Sequence, residues 1–277
     1  MFHRTTARNT TILIILMSLL SFYAALRAVI NENLYRVVYE AGTITEFLIA
    51  GSLAQDILII PAALILLLLS VYFLKIPNYK VFITMLGITG YLFYGFGLYV
   101  IQGQYTSIYL VYLAIFGLSI YALIYGLLSF DQDTVKTITL ARGIRLTIGS
   151  FLLFILIVLV PIWLIQIGGD IAQFRPGDTY AVYILDLTIE FPAFIIIAFM
   201  LFRGRPFGNI LAGVALFKVL TVCLSVAFGE WYIAFYRGFT PNYGMLGIFV
   251  ALTVVSMILL ALYLVKLKSN SAGVTEA

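Results

Sequence analysis

Eight apolar runs, each about twenty residues long or a little more and separated by short polar joints, constrain this chain more than any other feature. They fall at 10–30, 54–75, 80–101, 106–129, 145–168, 179–203, 207–229 and 243–266. At about 1.5 Å per helical residue, each run can cross ~30 Å of hydrocarbon. Lipid offers backbone groups no partners, and these runs are too long for barrel strands, so helices are predicted. Composition points the same way. Hydrophobic residues make up 63% of the chain and charged residues 10%, against about a quarter charged in a soluble domain. That leaves too little polar surface to cover a water-facing globule. The expected fold is an all-α integral membrane protein forming a single membrane domain, 1–277. The first run imitates a secretory signal, but it is longer than a signal core and no small-x-small site follows, so it reads as a retained helix.

The joints set an orientation. Alternate ends carry Arg4, Arg8, Lys75, Lys80, Lys136, Arg142, Arg145, Arg203, Arg205, Lys266 and Lys268. The opposite ends carry only Arg27, Arg36, Arg175 and Arg237. By the positive-inside rule the basic-rich side is cytoplasmic, so both termini are expected in the cytoplasm and the protein in the plasma membrane. The longest outer joint, 31–53, predicts an interfacial helix capping the outer mouth, or a longer, tilted second helix starting near Thr45.

A faint repeat divides the chain into halves 1–133 and 134–277. The second run reads "QDILIIPA" and the sixth "LDLTIEFPA", each placing an aspartate five or six residues before Pro-Ala, then leaving the membrane through a basic residue and a proline. Four helices per half is an even number, so a 4+4 parallel repeat is expected. The joint "DQDTVKTITLARGI" is the natural hinge between the halves.

Charges inside the runs are the functional signal. Asp186 and Glu190 lie four residues apart on one helical face, and Lys218 falls at matching depth in the next, antiparallel run. A charge at the bilayer centre costs at least ~2.5–3.5 kcal/mol, so such groups pair or face water. Glu190 with Lys218 is the expected pair, with Asp186 about a turn shallower. Asp56 is the corresponding acid of the first half. Three acids then face one lysine, an imbalance answered by protonation, a bound cation or water. Pro61, Pro161 and Pro192 each remove an N–H and free the carbonyls of Ile57, Ile157 and Thr188, two of them beside these acids. In the third run Gly87, Gly90, Gly95 and Gly97 allow close helix approach, while Tyr91 and Tyr94 lie deep enough to line a polar path.

Enzyme signatures fail in turn. The single histidine, His3, rules out histidine-rich zinc sites, and no HExxH or Walker A motif is present. Ser119 lacks a complete nucleophile elbow and a histidine to activate it. Ile167 stands where a GxGD protease motif needs glycine, and an Asp56–Asp186 dyad or a retinal Schiff base at Lys218 fits poorly. One cysteine, Cys223, allows no disulfide framework within the chain. No basic patch interleaves with polar structure, so nucleic acid is not an expected partner. No cofactor and no metal are expected. The leading expectation is a secondary transporter or channel-like permease for a small solute or ion, proton-coupled through Asp56, Asp186, Glu190 and Lys218, with Tyr91 and Tyr94 along the path. Its partners would be the bilayer, that solute and other copies of the chain. The alternative is a non-catalytic scaffold or assembly protein whose buried charges only clamp helices together.

Overall fold

The computed structural model describes residues 2–269. Met1 and residues 270–277, which belong to the expected domain 1–277, lie outside the described residues. Eight helices are long and apolar enough to span a membrane: α1 (Arg4–Ile30), α3 (Glu46–Lys75), α4 (Tyr79–Ile101), α5 (Tyr109–Leu128), α7 (Arg142–Ala172), the composite Tyr180–Phe202, α10 (Pro206–Arg237) and α11 (Tyr243–Lys266). The protein is thus a multi-pass membrane protein by length and composition. Short helices α2 (Asn33–Glu40) and α6 (Gln132–Thr137) lie in the joints.

Local chemistry sets the helix ends. The side chains of Thr45, Asn78 and Asn242 accept from the first-turn amides of α3, α4 and α11, satisfying donors that a helix start leaves open. Gly238 ends α10 at φ 70°, a left-handed conformation that suits glycine. The 31–53 joint holds both a short helix and the early start of the next span. α2 turns Leu34, Tyr35 and Val38 inward, and α3 begins at Glu46, eight residues before the predicted 54. α10 runs to Arg237, well past the predicted 229, because nothing breaks the helix before Gly238.

The sixth span is not one α-helix. α8 (Tyr180–Leu185) passes through a π turn, Asp186–Glu190, into α9 (Phe191–Phe202). Pro192 sits at the start of α9 and cannot donate to Thr188. The Phe191 N–H bonds to the Asp186 carbonyl five residues back, widening the turn that holds both acids. Pro61 and Pro161, by contrast, are absorbed inside the continuous helices α3 and α7.

Packing places α4 at the centre, its apolar window 83% buried against at most 56% in any other span. In the first half α1 packs on α3 and α5, and α4 packs on the same two. In the second half α7 packs on α9, α9 on α10 and α10 on α11, while α7 and α11 meet only briefly. α4 against α10 is the main seam between halves, joined by α3 against α10 and α4 against α8. One end of the bundle is plugged. Phe2, Phe73, Phe82 and Phe130 stack with centroids 4.8–5.5 Å apart. There too β1 (Ile138–Thr139) pairs antiparallel with β2 (Lys268–Ser269), and Lys80 Nζ reaches the Leu264 carbonyl at 2.6 Å near the α11 terminus.

Candidate functional site

At the opposite end a cavity of about 320 Å³ opens among the starts of α3, α8 and α11, where Phe47, Thr179 and Asn242 line it. It descends to Glu190, Phe194 and Lys218, midway along their spans. Most of its wall is hydrocarbon and aromatic. The ionisable side chains on that wall are Asp186, Glu190, Glu230, Lys218 and the phenols and thiol of Tyr91, Tyr94 and Cys223.

The floor is an ion pair. Lys218 Nζ lies 2.8 Å from Glu190 Oε2, both side chains about one-tenth exposed or less. The ammonium also sits 4.3 Å from the Tyr94 ring centroid, so an acid and a π-face share the neutralisation of one buried cation. Gly90 makes room for this. A Cβ there would stand 3.3 Å from Lys218 Cγ, so the bare backbone of α4 lets the lysine stem lie along it. One turn up, Asp186 Oδ2 accepts from Trp163 Nε1 at 2.9 Å. The sequence placed Glu190 and Lys218 at one depth with Asp186 about a turn shallower; the structure brings all three into one cavity with Tyr91 and Tyr94.

Asp56 is elsewhere. It is 1% exposed and does not line the cavity. Tyr35 donates to its Oδ2 at 2.6 Å and Tyr99 to its Oδ1 at 3.0 Å. Burial first, and then the Asp56 carboxylate, push the Tyr35 phenol well above its ordinary value, so α2 presents a neutral donor to the acid. The chain neighbour of Asp56, Gln55, sets it beside the cavity wall. Gln55 lines the cavity and accepts from Ser225 Oγ at 2.7 Å, while Tyr91 OH donates to Ser225 Oγ at 3.5 Å.

Among the polar residues of this wall that escaped the sequence reading are Gln55, Ser225, Trp163 and Glu230. Gln55 and Ser225 carried a signal, since each is a polar group within an apolar run. Trp163 was visible only as one of two tryptophans, and nothing in the sequence linked it to Asp186. Glu230 lay one residue beyond the predicted end of its run and so read as a loop residue; the longer α10 carries it onto the cavity wall. Among the described residues no group of three His, Cys, Asp or Glu converges as a metal site. Comparison of the chain with protein-family models, curated proteins and solved structures finds no significant match.

Proposed function

We propose that this protein is a secondary transporter or permease for a small solute or ion, moved through the cavity that ends on Asp186, Glu190 and Lys218. The observation that carries the reading is the one-sided depth of that cavity. It runs from the starts of α3, α8 and α11 to a charged floor, while the other end is plugged by four phenylalanines and a strand pair. This is the form expected of one access state, with the aromatic plug opening in the other. By the distribution of basic residues the mouth faces outward, both termini lie in the cytoplasm and the membrane is the plasma membrane.

Coupling follows from the floor. Protonation of Glu190 would release Lys218, and Asp186 is the next acceptor along the wall, so proton and solute occupy the site in alternation. Asp56 acts from behind, holding α2 and α4 on α3 next to Gln55. The helix pairings support the 4+4 repeat: consecutive helices pack within each half, first meets last in each, and the equivalent helices α4 and α10 form the seam. The enclosed Glu190–Lys218 pair is also what the scaffold alternative needs, as a clamp between the π turn of the sixth span and α10.

Access separates the two. In a Cys223→Ser background, Val222→Cys on the cavity wall should react with a water-soluble thiosulfonate from the outer side and, in cycling protein, more slowly from the inner side. Reaction from neither side, or from one side under all gradients, would sink the transport reading. In vesicles holding a pH gradient, Asp186→Asn should keep the fold and lose pH-dependent uptake.

A further inference from the structure

We infer that the solute is a single-chain amphiphile with a cationic amine head, entering the cavity sideways from the bilayer between α7 and α11. This rests on the transport site proposed above and names its substrate class. The first observation is the loose seam. α7 and α11 close the second-half ring yet meet only briefly. On the outer face of that seam lies a groove of about 240 Å³ lined by Phe154 and Val158 of α7 with Ile248, Ala251 and Val255 of α11. On its inner face the same two helices line the cavity, through Ile155, Leu159, Met245 and Phe249. Val158 and Leu159 are adjacent, and Phe249 lies three residues from Leu252 of the groove, so groove and cavity lie on opposite faces of the same α7–α11 seam, the cleft that a tail would part. An alkyl chain that parts this seam stays in hydrocarbon and so incurs no desolvation cost.

The second observation is the charge of the inner wall. Lys218 is matched by Glu190. That leaves two further acids without a base of their own on this wall: Asp186, which accepts from the Trp163 N–H, and Glu230 nearer the mouth. With both ionised the cavity has an excess of two negative charges, which favours a cation and disfavours an anion. Trp163 and Tyr91 on the same wall offer π-faces suited to an alkylated ammonium. The volume, near the low end of the ~300–1,000 Å³ usual for ligand sites, suits a small head whose tail lies in the cleft.

Trp163 makes this measurable. With Trp231→Phe, it is the sole tryptophan, in zwitterionic vesicles without any gradient. Three quenchers carry bromine near the head: (2-bromoethyl)dimethyldodecylammonium, tail-less (2-bromoethyl)trimethylammonium and 2-bromododecanoate. The dodecylammonium should quench Trp163 at a membrane concentration at least tenfold below that of the dodecanoate. Asp186→Asn should weaken both cationic quenchers at least tenfold. Ala251→Phe, at an exposed position of the groove, should weaken the dodecylammonium at least tenfold and leave the tail-less cation unchanged. Equal quenching by cation and anion overturns the head assignment. An unchanged response of the dodecylammonium in Ala251→Phe overturns lateral entry, and does so whether or not the cysteine-access test supports transport. Seam-dependent quenching in a protein with one-sided access would instead uphold the site and sink transport.

Discussion

Lys218 Nζ and Glu190 Oε2 are 2.8 Å apart at the foot of the cavity, and the Tyr94 ring closes over the same ammonium at 4.3 Å. Each charge is enclosed by the other, so removing one strands its partner. Lys218→Met should destabilise the protein by about 3–5 kcal/mol, and adding Glu190→Gln should recover much of that. Unfolding in micelles for both single variants and the double gives the coupling. Strict additivity would mean that the two side chains contribute independently.

Tyr35 supplies the shortest hydrogen bond to Asp56, at 2.6 Å. Tyr35→Phe leaves one oxygen of a buried carboxylate without that donor and should cost about 1.5–3 kcal/mol. The pH dependence has a definite sign. The Tyr35 phenol is raised in the folded protein, so the folded state keeps its proton where the unfolded chain loses it. Its stabilisation is complete below about pH 10 and declines as pH rises toward the folded value. Tyr35→Phe should therefore be less stable at pH 8 and show a shallower loss of stability above pH 10. An equal alkaline slope in both proteins would contradict the buried phenol.

The α4–α10 seam depends on Gly87, where an added Cβ would stand 2.2 Å from Phe217 Cβ. Gly87→Leu should lower stability by about 1–3 kcal/mol through overpacking, or more if the halves separate. Gly143→Leu, at an α7 position with nothing within 4 Å of an added Cβ, is the control and should change little. Similar effects at both sites would show that the seam is soft.

Orientation has its own measurement. In a Cys223→Ser background, Tyr105→Cys and Asp178→Cys, both exposed at the cavity end, should be labelled by a membrane-impermeant maleimide on intact cells. Gly143→Cys, exposed at the plugged end, should be labelled only after lysis. The reverse pattern would turn the proposed topology over.

The number and approximate limits of the spans were legible in the sequence because each is decided locally: about twenty apolar residues in lipid must close their own hydrogen bonds as a helix. The matched depth of Glu190 and Lys218 was legible for a related reason, since consecutive helices run antiparallel and residue counts convert directly to depth. Rotation about each helix axis is not local. Whether Asp56 faces the cavity or the α2–α4 side depends on how α3 packs, and the bundle turns it toward Tyr35 and Tyr99. Trp163 meets Asp186 across two helices and a π turn whose widening depends on where Pro192 falls. Glu230 joined the cavity wall because α10 runs on to Gly238. The sequence by itself determined that the chain forms eight helices long and apolar enough to span a membrane and that its buried charges must pair or face water. Only the tertiary structure decided which faces meet, because each helix–helix seam is chosen by small-residue contacts such as Gly87 against Phe217 whose energies depend on partners far away in the chain.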